Sequence, residues 1–433
     1  MTNAFMQPQN LEEKLIWYLL IGTYLLYFLG AQYIVVPAVA WFLSLYLLRK
    51  IWGQTPKEQL NNQNNIPATV WVWMVCMVCI LFVIVIGHND FNLGTTRTIN
   101  SIINWARQHA LFALFLLISC LNIRAQLIYR AVCIICLQGL IFTALGYLAF
   151  ALQLTIPGSL YQGNVYVSPL KFAGGGSLLY EVSLYLTEHG QLRMSLFTPW
   201  APALGLVANI YFFLAYHESN RIWKWIGMTG AVVMIVVSVS RSALICLPIT
   251  LVLTWFFVHF SRPIVQITFG LVSFVTGIFA TQLLNLLTTI QANFTSARPS
   301  SSRVRNTLGE IGMYRWWNEA PVWGHGIQDN PGPKLVEGMP IGSHHTWIGL
   351  LFTNGIMGFI ALGIPFVWSF IDLLLKVHKS KTAQAGLSVI IVLFIFSFAE
   401  NIEGLTYIYW PGLLTMGLAF KEAVYRKQNL VIA

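Results

Sequence analysis

PATVWVWMVCMVCILFVIVIG, residues 67–87, is 21 residues long and carries no charge. About 20 residues of helix cross the hydrocarbon of a bilayer. In lipid every backbone polar group must be satisfied within the segment, so the stretch reads as a membrane-spanning helix. Similar runs lie at 14–30, 31–49, 106–122, 130–152, 199–217, 223–239, 242–260, 263–284, 346–372, 384–400 and 404–420. Of the 433 residues 57% are hydrophobic and 9% charged, against about 25% charged in a soluble domain. A soluble enzyme, a disordered chain and a nucleic-acid-binding module are excluded. The expected fold is all-α: a polytopic integral membrane protein of about 12 transmembrane helices, one transmembrane domain over 1–433. Two long loops interrupt it, at 153–198 and 285–345.

The net charge of +10 fits basic inner loops and an anionic lipid bilayer as partner. With the N-terminus inside, fifteen of the 25 Lys and Arg fall on the inner side, among them Arg49, Lys50, Arg124, Arg130, Lys376 and Lys421. Seven of the ten outer ones lie in or beside the two long loops, which determine topology weakly. Both termini are therefore expected inside. No cleavable leader is expected, since the first apolar run follows Glu12, Glu13 and Lys14 and no small-residue site closes it. All six cysteines lie in apolar runs; the C-x-x-C pairs Cys76/Cys79 and Cys133/Cys136 have no His or further Cys beside them and read as small hydrophobes.

The outer segments carry the chemistry. Arg193 stands shortly before a span, Arg241 at the short outer junction SVSRSA (238–243), and Arg303, Arg305 and Arg315 in the second long loop. Guanidinium groups bind phosphate oxygens two donors at a time. Several converging at the outer leaflet would hold a diphosphate; singly, each reads as snorkelling or lipid contact. His344 and His345 directly precede a span, where a neutral imidazole can act as general base or serve as polar trim. His325, His189 and His88 read as polar caps, and Glu400 and Glu403 as caps ending a span. Residues 305–319 read as a short interfacial helix with an apolar stripe of Leu308, Ile311, Met313 and Trp316. The outer acids form no D-x-D or E-x-D pair, so no metal site is expected and leaving-group charge falls to arginine. The run Gly174–Gly176 lacks the Lys and Ser/Thr of a phosphate loop and reads as flexible. No cofactor is expected.

Gln191-Leu192-Arg193, Ser240-Arg241-Ser242-Ala243-Leu244, APVWGHGIQD (320–329) and SHHTWIGLLFTNGIMGF (343–359) resemble the O-antigen ligase and polymerase family of bacterial membrane glycosyltransferases. The likeness covers about 190–360. The family's His stands eleven residues before a Gly, as His344 does before Gly355; His345 occupies a position that is often Asn. The resemblance implies a fold like the class C glycosyltransferases, in the bacterial inner membrane. It implies an undecaprenyl-diphosphate-linked glycan as donor, a lipid core or another lipid-linked glycan as acceptor, and metal-independent transfer on the periplasmic face. His344 would then be the base. Arg193, Arg241 and either Arg303 or Arg305 would hold the diphosphate and stabilise it as it leaves, with Arg315 and His345 also among the residues that bind it. The motifs do not separate a ligase, building lipopolysaccharide, from a polymerase; the reading here leans to ligase. A transporter is the alternative of another class, but it would place ionisable residues near the bilayer midplane, where almost none fall.

Overall fold

The computed structural model describes residues 6–53, 66–154, 164–167, 181–186, 190–296 and 299–431; Lys171, Gly174–Gly176, Glu188, His189 and Arg298 lie outside them. The chain begins with α1 (Leu11–Ile21), α2 (Thr23–Phe28), α3 (Gln32–Trp52), α4 (Ala68–Asp90), α5 (Thr95–Arg107), α6 (His109–Ile118) and α7 (Ala125–Ala151). Three short strands follow in the first long loop: β1 (Asn164–Val167), β2 (Glu181–Leu186) and β3 (Leu192–Met194). They form one antiparallel sheet in the order β1-β2-β3, with Tyr185 opposite Arg193. The all-α expectation missed this sheet. Then come α8 (Ala201–Tyr216), α9 (Arg221–Val237), α10 (Arg241–His259), α11 (Pro263–Ile278), α12 (Ala280–Ser296) and α13 (Pro299–Glu319). The last helices are α14 (Thr346–Lys376), α15 (Lys381–Phe396) and α16 (Thr406–Val431), with a 3-10 turn at Ile402–Leu405.

Among the described residues, six helices are long and apolar enough to cross a membrane, seven if α11 and the start of α12, bent by 81°, count as one. This is a multi-pass membrane protein. At the centre lie α6, all ten of whose residues are buried, and the apolar helices α8 and α15. A helix that is apolar all round belongs inside a bundle. Around them α4, α10 and α11 turn large apolar side chains outward, such as Phe82, Val252 and Phe274, as lipid-facing helices do. The run expected at 106–122 is divided: α5 is amphipathic with no buried residue, and the chain breaks at Gln108 before α6.

Polar contacts collect at the two ends of the bundle. One end holds the ion pairs Lys50–Glu12 (3.4 Å), Arg124–Glu13 (2.7 Å), Arg130–Glu218 (2.8 Å) and Lys376–Asp372 (2.6 Å). The other holds β3, the α9–α10 junction, α13 and the start of α14.

The second long loop is fastened at this latter end by a break in α14. Gly355 has φ +62° and ψ −166°, a conformation open essentially to glycine. The 320–326 backbone fills the break. His325 N–H donates to Phe352 O (2.8 Å) and Gly326 N–H to Thr353 O (2.8 Å), while Ile356 N–H donates to Pro321 O (2.9 Å) and Met357 N–H to Val322 O (3.3 Å). A Cβ on Gly355 would lie 2.2 Å from Val322 O, and one on Gly324 2.4 Å from Asn354 N. The glycines of the two motifs are thus two halves of one joint.

Candidate active site

The junction between α9 and α10 is built first. Val239, two residues past the end of α9, has φ +44°, and Ser240 turns the chain so that Arg241 is the first residue of α10. A β-branched residue at positive φ is strained. The packing that holds it comes from α8: a Cβ on Gly205 would lie 2.5 Å from the Ala243 Cβ and 3.3 Å from the Ser240 Cβ. Asn209, buried on α8, donates to Ala243 O at 3.1 Å. Arg241 therefore sits at the positive end of a helix dipole on a fixed turn.

Arg193, the middle residue of β3, donates its Nε–H to Ser238 O at 2.8 Å. That bond ties the first long loop to the Arg241 junction. Beyond Arg193 the chain turns at Leu196, φ +48°, and Trp200 donates Nε1–H to Glu400 Oε2 at 3.0 Å. Glu400 is buried. Its Oε1 accepts from Arg305 Nη2 at 3.2 Å, and Arg305 Nη1 also donates to Ala399 O at 3.1 Å. Burial raises the Glu400 carboxyl above its ordinary value, against the pull of Arg305, Trp200 and Arg193. Glu400 is thus the carboxylate around which Arg193 and Arg305 are gathered.

Arg305 is carried by α13, which starts at Pro299, six residues before the expected 305. Its Val304 and Leu308, with Ile311 beside them, pack on Val336, Ile341 and Phe352. Gly309 and Gly312 admit Ile348 of α14, at 3.3 and 3.2 Å from an added Cβ. The stripe expected to meet lipid is therefore covered by protein, and Met313 lies outside it, 39% exposed. Arg303, two positions before Arg305, is exposed.

His344 lies two residues before α14 with φ +64°; its ring reaches Met339 Sδ at 3.5 Å. Burial, then the charge of Arg305, lowers its pKa to about 4. The imidazole is neutral at neutral pH and carries a lone pair. His345 does other work. Its Nδ1 accepts from Ile348 N–H at 3.2 Å as the N-cap of α14, and its own N–H donates to Asn401 Oδ1 at 2.9 Å. Capping is the usual task of Asn, which explains how His345 stands where the resembled family often has Asn. Arg315 pairs with Asp329 (2.7 Å) and Glu319 (3.0 Å) and lies 5.2 Å over the Phe352 ring. Those contacts fasten α13 to the docked loop. His325 bridges Phe352 O (3.0 Å) and Glu319 (2.8 Å) and stacks on Phe352, also as a fastener. His88 contacts Thr98 at 3.2 Å under the same loop.

Six non-glycine residues among those described have positive φ, and three of them, Leu196, Val239 and His344, lie within three residues of Arg193 and Arg241 or are His344 itself. Backbone strain of this kind gathers at functional sites. Next to the cluster opens an apolar cleft of about 710 Å³ between α10, α14 and α15, lined by residues from Ile249 to Phe398. At its head the Phe398 ring meets His345 at 5.6 Å, and Trp347 donates to Ser397 Oγ at 2.7 Å.

Residues 226–363 match the model of a family described as O-antigen ligase. Over that third of its length the chain is similar to the O-antigen ligase family. No curated protein matches the chain. The O-antigen ligase match takes in Arg241, Arg303, Arg305, Arg315, His344 and His345, and leaves out Arg193 and Glu400. Among the described residues no three His, Cys, Asp or Glu side chains are grouped as metal ligands. Glu400 was missed as a site residue in the sequence; the available signal was its position among outer arginines in a chain with only 15 acids.

Proposed function

We propose that this chain is a metal-independent glycosyltransferase of the O-antigen ligase family. It moves a glycan from undecaprenyl diphosphate to a hydroxyl of a lipid core acceptor, at the periplasmic face of the bacterial inner membrane. The acceptor oxygen attacks the anomeric carbon of the donor sugar and passes its proton to the His344 ring. The bond from that carbon to the diphosphate oxygen breaks, and the diphosphate leaves with the electron pair. Arg193, Arg241 and Arg305 meet the charge that develops, and exposed Arg303 receives the outer phosphate. Arg315 and His345 support these groups from behind. The polyprenyl chain lies in the apolar cleft.

The observation that carries this reading is that Arg193, bonded to the Arg241 junction, and Arg305, paired with Glu400, stand at one end of the bundle beside the head of that cleft, where their charges act on Glu400 and on His344. Twelve crossings follow if α1–α2, α8, α9, α15 and α16 join the six long spans and the bent pair. The separation of polar contacts into two ends supports that count. Both termini then lie in the cytoplasm, and loops 153–198 and 285–345 in the periplasm.

The test is transfer by the purified protein in liposomes, with lipid-linked glycan and core lipid, in EDTA. Wild type should stay active there. His344→Ala should lose about 10²–10⁴-fold, the usual contribution of a general base, with unchanged membrane insertion. Retained activity in His344→Ala would remove His344 from the mechanism, and loss in EDTA reversed by magnesium would remove the arginine-only account.

A further inference from the structure

The face of α13 turned away from α14 is not apolar, and no described residue covers it. Arg303, Asn306, Glu310, Tyr314 and Trp317 follow one another at steps of three, four, four and three residues, which is one line along a helix. All five are exposed; Tyr314 is 70% and Trp317 69% exposed. Asn318 and Met313 flank the line, also exposed. Five charged residues, Arg303, Arg305, Glu310, Arg315 and Glu319, keep α13 out of hydrocarbon. From Arg303 to Trp317 the line runs about 21 Å at 1.5 Å per residue. It begins two residues from Arg305, the group that binds Glu400 and acts on His344.

Two exposed rings one helical turn apart present flat apolar faces, each with a polar edge, to whatever meets this side of α13. Phospholipid headgroups are a poor match, because Glu310 sits mid-line where an anionic surface calls for Lys or Arg. Two neighbouring flat rings, following an amide and a carboxylate along the line, suit a ligand with apolar faces and many hydroxyl edges. We propose that this face binds the glycan of the donor. Tyr314 and Trp317 stack on sugar rings beyond those at the reaction centre, and Asn306, Glu310 and Asn318 accept or exchange hydrogen bonds with their hydroxyls. The proposal rests on the transferase reading above and adds a site to it. The site acts on long donors, since the two rings lie about 16–21 Å along the helix from Arg303.

The test compares two donors on undecaprenyl diphosphate, one bearing a single repeat unit and one bearing the polymer, in the liposome transfer assay. For Tyr314→Ala/Trp317→Ala the ratio of polymer to single-unit transfer should fall roughly tenfold below wild type, the summed worth of two ring contacts. The double Phe variant should restore the ratio. A ratio equal to wild type in the alanine variant would overturn the proposal. So would an equal fall for both donors, which marks membrane anchoring by the rings. Trp317→Ala alone keeps the ratio readable if the double variant does not fold. Failure of the underlying transferase reading shows separately, as transfer of the single-unit donor by His344→Ala.

Discussion

Replacing Gly355 by Ala attacks the joint that seats the second long loop. The new Cβ would meet Val322 O at 2.2 Å and Gly324 N at 2.7 Å, both backbone atoms that no side-chain rotation can clear. Relief requires the 320–326 segment to leave the break, which forfeits four backbone hydrogen bonds at about 1 kcal/mol each. If the segment stays, Ala must adopt a backbone conformation that costs about 1–3 kcal/mol. The first route removes about 4 kcal/mol and the second about 1–3 kcal/mol before the clash with Val322 O is counted, each a sizeable part of a typical domain's whole stability. The readout is amide hydrogen exchange in detergent, followed by mass spectrometry. The amides of His325, Gly326, Ile356 and Met357 should exchange fast in Gly355→Ala and slowly in wild type, while those of α8 stay protected. Transfer should fall with the lost protection, because His344 rests on Met339 within the displaced loop. Undiminished protection at those four amides would refute the joint.

The pH dependence of transfer follows from His344. Its neutral form is the base, and burial with Arg305 holds its pKa to about 4. The acid limb of kcat/KM, which reports free enzyme, should therefore lie near pH 4. Bound diphosphate offsets the Arg305 charge, so the acid limb of kcat should lie at higher pH; coincident limbs would detach Arg305 from His344. Glu400→Ala should leave Arg305 without its carboxylate and Trp200 without an acceptor. Transfer should fall at least about tenfold, with a larger effect on KM for the lipid-linked donor than on kcat. Unaltered kinetics would reduce Glu400 to a cap.

The apolar helices were legible because each announces itself within its own window; α4 occupies Ala68–Asp90 where the run at 67–87 placed it. The three segments carrying Arg193, Arg241 and His344 were legible as motifs. Their meeting was not, because it depends on contacts such as Arg193 with Ser238, 45 residues apart, and Arg305 with Glu400, 95 apart. Glu400 looked like any acid at a span end, and only its burial between Trp200 and Arg305 distinguishes it. Arg315 illustrates the reverse: an outer arginine by sequence, it is engaged by Asp329, Glu319 and Phe352. The strand pairing ahead of Arg193 left no signal, since stretches this short carry little periodicity. The α14 break was half visible, as glycines in two motifs whose partnership requires the fold.

The cleft between α10, α14 and α15 is bordered by Val367 and Phe398, 60% and 52% exposed, so its side faces the bilayer rather than the water. Anything entering there diffuses in a plane. Its supply is counted per lipid molecule, not per litre, and adding inert detergent at fixed total substrate thins that supply as dilution would thin a solute.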